Sequence, residues 1–292
     1  MSGKTPFVAV GTDGSPEAEL AVGWAAERAA RLGMDLVLLS ADPPEVVVAS
    51  GLVAHPQGRN VGGRTEMLAG DSAELSELYP DLKVETRLLG GPAAAALLQG
   101  SEDAELLVIG TRGLRGLAGI LLGSIADQVV ANATHPVVVV TDRPNPDGPV
   151  VVGLETSPAS REAARFAVVE AATRGTRLVV VSALGYPDQW ADDRLISAEL
   201  VARHRGRVRS ELQEYLAEDL AAHPDVEVDY RIDVGSPPTA LLDASNRATL
   251  VVVGTRGRGA LTGLLLGSTS RRTAESAHCP VAIIPNRARM EA

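Results

Sequence analysis

The stretch LLVIGTRGLRGLAGILLGSI, residues 106–125, decides how this chain is read, because residues 250–269 repeat it as LVVVGTRGRGALTGLLLGST. In each copy a run of branched apolar residues ends in Gly-Thr-Arg-Gly, and Gly-Ser follows at the start of a helical pattern. Gly110, Gly113, Gly123 and Ser124 recur 144 positions later as Gly254, Gly257, Gly267 and Ser268. A glycine loop that leaves a buried strand and delivers a helix N-terminus can hold phosphate groups with backbone N–H donors. The spacing matches neither the P-loop, which ends in Gly-Lys-Ser/Thr, nor the dinucleotide pattern Gly-x-Gly-x-x-Gly. The competing reading is that these glycines only permit close packing of a crossover. Finding the same internal spacing twice favours the phosphate loop.

The repetition extends over the whole chain. FVAVGTDGS at residues 7–15 answers to VVVGLETS at 150–157, LVLLS at 36–40 to LVVVS at 178–182, and VVVV at 137–140 to VAII at 281–284. One module is therefore written twice. Between the copies lies TDRPNPDGP, residues 141–149, whose prolines and aspartates suit a connector. The expected domains are 1–143 and 149–292. Within each, short Val/Leu runs without polar alternation suit strands buried on both faces of a parallel sheet, and helical patterns separate them in the order βαβαβαβαβ. Right-handed crossovers then give two tandem open α/β domains with helices on both sheet faces. Ser15 and Pro16 predict a helix start, and Gly33 its end. The copies diverge after the second strand. There, residues 42–64 are rich in Gly, Pro and Val without clear period, whereas a long polar helix is expected at about 190–220.

Composition narrows the function classes. At 292 residues the chain is long enough for two cores. A formal net charge of −10 argues against a nucleic-acid surface. A single cysteine, Cys279, excludes a disulfide framework and is expected to be a small buried residue. No segment reaches the roughly 18 apolar residues of a membrane span, and MSGKTPF at the N-terminus lacks a signal-peptide core. The cytoplasm is therefore expected, with no membrane and no nucleic-acid partner. His55, His135, His204, His223 and His278 show no metal-ligand spacing, and His135 and His278 precede the proline that opens each last strand. Arg203, Arg205, Arg207 and Arg209 split between two helix faces, which suits a solvated surface paired with Glu199 or Glu211. Trp24 and Trp190 are too few for a base-stacking platform.

A strand followed by Asp13, then Gly-x2-Gly-x9-Gly-Ser before the last helix and strand, resembles the universal stress protein family, in its ATP-binding, tandem two-domain form. The resemblance implies a five-stranded parallel sheet of order 3-2-1-4-5 in each domain, so that strands 1 and 4 border one crevice. It implies that Asp13 binds ribose, that Thr12 and Ala41 lie against adenine, and that Gly110, Gly113, Gly123, Ser124 and Ile125 hold the phosphates, with Ile109 and Arg112 completing the site. The second set is Glu155, Ala183, Val253, Gly254, Arg256, Gly257, Gly267, Ser268 and Thr269. It also implies pairing of domains through the fifth strands, leaving other surfaces for a homodimer or higher homo-oligomer.

The second copy departs from the pattern at Glu155, which replaces Asp13, and at Leu154, which replaces Thr12. Arg271 and Arg272 follow Ser268, where cations suit a bound anion, while the first copy has Asp127, which with Ser124 reads as a capping box. By resemblance the ligand is ATP, with or without Mg2+, and the function is nucleotide-dependent regulation of an unidentified protein partner in stress or slow growth. Two alternatives stay open: a slow ATPase or self-phosphorylating enzyme, and a nucleotide-free scaffold. No general base, catalytic lysine or acidic pair stands beside either loop in sequence, so no catalytic or metal-binding residue is assigned.

Overall fold

Burial on both faces is what the valine and leucine runs require, and the chain meets that demand twice. The computed structural model describes residues 5–42, 46–47, 53–54, 61–111, 122–141, 145–157, 160–184, 198–255 and 266–286. The chain divides into two compact units, Met1–Thr141 and Asp142–Ala292. In the first the elements are β1 (Phe7–Gly11), α1 (Pro16–Leu32), β2 (Asp35–Asp42), β3 (Val46–Val47), β4 (Val53–Ala54), α2 (Val61–Leu78), β5 (Val84–Gly90), α3 (Ala93–Gly100), β6 (Leu106–Gly110), α4 (Ser124–Asn132) and β7 (Val137–Val140). The second has β8 (Val150–Gly153), α5 (Arg161–Arg174), β9 (Leu178–Leu184), α6 (Ala198–Ala221), β10 (Val228–Val234), α7 (Pro237–Ser245), β11 (Leu250–Gly254), α8 (Ser268–Ser276) and β12 (Val281–Ile284).

Within the first unit the strands run β5-β2-β1-β6-β7, all parallel. The second unit repeats this as β10-β9-β8-β11-β12. Numbering the sheet strands within each unit gives 3-2-1-4-5, the order the resemblance implies. The extra pair β3 and β4 is a separate antiparallel hairpin, and residues 61–64, expected to lie in an aperiodic stretch, begin α2 instead. The long polar helix of the second copy is α6; residues 190–197 of that expectation lie outside the described residues.

Small residues set the close helix–sheet contact. Ala18, Ala21, Val22, Ala25, Ala26 and Ala29 recur at helical spacing on the buried face of α1, which packs on β1, β6 and β7. Ser15 caps α1, its Oγ accepting the Ala18 N–H at 3.3 Å, with Pro16 in the first turn. Gly33 and Gly175 close α1 and α5 in the left-handed conformation, each with φ of 62°. The end of the connector is a tight turn: Gly148 is buried, and a Cβ there would lie 2.4 Å from the Arg247 carbonyl.

The outer strands β5 and β10 carry alternating charges. Arg87 donates to Glu85 at 3.0 Å, and Arg231 donates to both Asp233 and Asp243 at 2.7 Å. Lys83 pairs with Asp35 at 2.7 Å, and Arg177 with Asp229 at 3.4 Å.

At the mouth of the fifth strands, repeat-equivalent positions hold His135 and Cys279, 144 residues apart and both buried. Burial lowers the His135 pKa and pushes the Cys279 thiol up to about 12. A histidine whose folded pKa lies below its ordinary 6.5 leaves the unfolded chain holding more protons, so stability is full above that value and is lost as pH falls through the window beneath it. Urea unfolding of the first unit, followed by Trp24 fluorescence in a Trp190→Phe background, should weaken as pH drops from 7 to 5. The slope should flatten in His135→Cys. Cys279 should resist a disulfide reagent in the folded protein and react once the second unit unfolds.

Candidate functional site

The carboxyl ends of parallel strands face the crevice in which open α/β sheets bind ligands, at the point where strand order reverses. In the first unit that point lies between β1 and β6, paired in register as Val8 with Leu106, Ala9 with Leu107 and Val10 with Val108. Asp13 and Gly110 therefore leave neighbouring strands at the same edge. Thr12 continues the β1 pairing, its N–H donating to Leu39 at 2.8 Å, and this brings buried Thr12 beside the end of β2, where Ala41 is 9% exposed. The second unit has the same bond from Leu154 N–H to Val181 at 3.0 Å. Ile109 and Val253 are buried within β6 and β11, so their side chains belong to the core.

The loops are closed at the base by one repeated backbone bond. Gly123 N–H donates to Thr111 at 2.9 Å, and Gly267 N–H to Thr255 at 2.7 Å. Arg112, Gly113, Arg256 and Gly257 lie outside the described residues. Beyond each clamp the helix starts at once, at Ser124 in α4 and Ser268 in α8, with the glycine before it as N-cap and no side-chain capping bond. The first intrahelical bonds reach back from Asp127 to Gly123 and from Arg271 to Gly267. The amides of Ser124, Ile125 and Ala126, like those of Ser268, Thr269 and Ser270, thus have no carbonyl of their own helix to serve. They combine with the positive end of the helix to suit an anion.

One local expectation is corrected, and two further positions prove ordinary. Gly123 has φ of −60° and ψ of 152°, extended backbone open to any residue, so its conformation does not demand glycine. Ser124 is the first helical residue, not the cap, which removes the capping box with Asp127. Arg271 donates to Glu275 at 3.1 Å, one turn toward the C-terminus, as an ordinary i,i+4 pair. Gly110, by contrast, has a firm steric reason. A Cβ there would lie 2.8 Å from the Glu17 carbonyl oxygen and 3.2 Å from the Ala18 nitrogen, so only glycine lets the end of β6 touch the first turn of α1. The packing reading therefore holds at this residue.

The two acidic residues are held differently. Asp13 Oδ1 accepts the Ser15 N–H at 3.1 Å, a turn closed by its own short side chain. Glu155, one methylene longer, accepts the Ser157 hydroxyl at 3.0 Å. Around the first site, α2 brings residues that no motif marks. Arg64 donates to the buried Ser40 hydroxyl at 3.2 Å, and a Cβ on Gly14 would lie 2.8 Å from Met67 Sδ. On the same helix, burial, with Glu19 and Glu74 nearby, raises the Asp71 pKa. In the second unit Ser270 adds a second tie to the loop base, its hydroxyl donating to Gly254 at 2.5 Å; the repeat equivalent is Ala126. Ser270 could have been found by aligning the copies, but Arg64 and Met67 could not, because the copies have no common pattern there.

The family model described as the universal stress protein family matches this chain twice, at residues 8–141 and 148–285. A universal stress protein of Mycolicibacterium smegmatis is 34% identical over 288 residues, covering 95% of this chain and 96% of its own. The chain belongs to the universal stress protein family. Among solved structures, a universal stress protein from Archaeoglobus fulgidus shares the fold at a TM-score of 0.68 and 20% identity, with 96% of each chain covered. A half-length universal stress protein in complex with cAMP is 27% identical, covering 47% of this chain and 97% of its own, at a TM-score of 0.36. No helix among the described residues is long and apolar enough to cross a membrane.

Within the first universal stress domain, the contact at Gly110 yields a direct test. Gly110→Ala should cost about 1–3 kcal/mol in urea unfolding, because the backbone of α1 must shift to admit the methyl group. Gly123→Ala, at an ordinary φ, should cost far less.

Proposed function

We propose that this protein is an ATP-binding regulator of the stress or slow-growth response, with one nucleotide site in each unit. The observation that carries the reading is the doubled Gly-Thr-Arg-Gly and Gly-Ser sequence, closed at its base by the same backbone bond in both copies. Adenine lies against Thr12 and Ala41, and Asp13 accepts from the ribose hydroxyls. The phosphates take the first-turn amides of α4 and the Ser124 hydroxyl. Glu155, Ala183 and the α8 amides serve the second site. Mg2+ travels with the phosphates, since it keeps most of its waters. ATP occupancy favours one arrangement of the chain over another and so changes its association with a protein partner. The working form is a cytoplasmic homodimer or higher homo-oligomer.

Mass spectrometry of denatured, purified protein should release ATP. Saturating ATP should stabilise the chain by about 2.7 kcal/mol at a hundredfold excess over Kd. Asp13→Ala should weaken this shift and Gly123→Trp should remove the first-site component. Absence of both co-purified nucleotide and thermal shift would sink the reading in favour of a scaffold. Steady phosphate release that vanishes in Asp13→Ala would point to the enzyme.

A further inference from the structure

In the second unit, α6 is tied to the turn that follows β8 by a group of contacts. Tyr215 Oη donates to the Ser157 carbonyl at 2.8 Å, and Ser160 Oγ lies 3.3 Å from the same hydroxyl. Ser160 Oγ also donates to the carbonyls of Ser157, at 3.0 Å, and Glu155. Arg161, at the start of α5, stacks over the Tyr215 ring with its guanidinium carbon 5.1 Å from the centroid. It also donates to the Tyr215 carbonyl and to Glu218 at 2.9 Å, with Asp219 at 3.4 Å. Leu212 and Leu216, fully buried on the same helix, seat this half of α6 against the unit. The turn so gripped is the one that presents Glu155.

The difference between the copies gives the grip its meaning. Asp13 closes its own turn, its carboxylate accepting the Ser15 N–H at 3.1 Å. The longer Glu155 gives up that bond for the Ser157 hydroxyl. Its turn is closed by the Ser157 N–H donating to the Glu155 carbonyl at 2.9 Å and the Ser160 N–H to the Ser157 carbonyl at 3.1 Å, and among the described residues the hydroxyl that reaches it from another element is that of Tyr215. We propose that Tyr215 is a positioning residue for the second nucleotide site: its hydroxyl holds the Ser157 carbonyl, and through that turn it aims Glu155 at the ribose hydroxyls of a bound adenine nucleotide. This rests on the nucleotide-binding reading above. The second site is thereby coupled to α6, the helix that most distinguishes this half of the chain.

The test uses the full chain with the first site closed by Gly123→Trp, and titrates ATP and 2′,3′-dideoxy-ATP calorimetrically with and without Tyr215→Phe. Phenylalanine keeps the ring, and with it the stack on Arg161, and removes only the hydroxyl. ATP should bind about fivefold more weakly in the variant, the effect of one ordinary hydrogen bond. Dideoxy-ATP, which offers Glu155 no hydroxyl, should bind both proteins alike. Equal ATP affinity in the two proteins overturns the proposal, as does an equal loss for both nucleotides, which marks a general loosening. If the protein with Tyr215 intact binds no ATP, the nucleotide reading of the second site fails, and hydrogen exchange over residues 154–162 then decides the rest. Faster exchange in Tyr215→Phe keeps the hydroxyl as the holder of the turn, and unchanged exchange removes it.

Discussion

The bond from Gly123 N–H to Thr111, repeated from Gly267 to Thr255, is the constraint on which the site depends. A chain that leaves a parallel strand must travel before it can enter a helix, and a long excursion would ordinarily leave that helix loosely placed. Closing the excursion at its base fixes the helix N-terminus beside the strand end, whatever the intervening residues do. The first-turn amides, which have no carbonyl of their own helix to serve, are then delivered to the edge where β1 and β6, or β8 and β11, diverge. Everything else at that edge is arranged around this delivery. Gly110 lets the strand end meet α1, Thr12 and Leu154 extend the pairing by one bond, and the acidic residue follows immediately.

The family assignment and the geometry bear on different questions. Two matches of the family model and the relative at 34% identity establish descent across both halves. The ligand of this chain rests on its own residues. Here the halves are not interchangeable. The first builds its acidic turn from a short side chain, and the second from a longer side chain braced by three hydroxyl groups. A duplicated module can therefore keep the loop and the helix start constant while the acidic turn is rebuilt.

Much of this was legible in the sequence because it is local. Strands buried on both faces write themselves as Val and Leu runs, and Ser15, Pro16 and Gly33 mark helix ends by capping chemistry. Equal spacing of two glycine loops reveals repetition without any structure. Other features escaped because they depend on neighbours distant in sequence. The steric need for Gly110 comes from the backbone of Glu17, and Arg64 reaches Ser40 across 24 residues. Tyr215 lies 58 residues from Ser157, in a helix with no counterpart pattern in the first half. Overly local reasoning also produced one error. A serine and an aspartate three apart resemble a capping box, but the helix begins one residue earlier than that reading needs.

The charged outer strands carry a consequence for solubility. A parallel sheet ends in a row of unshared backbone donors and acceptors, which invites another chain to add a strand. Within their units, Glu85 and Arg87 on β5, and Asp229, Arg231 and Asp233 on β10, place charges along that row. An incoming strand would have to desolvate those charges or break their pairs before it could form its first bond. This guarded rim discourages a further chain from adding a strand there.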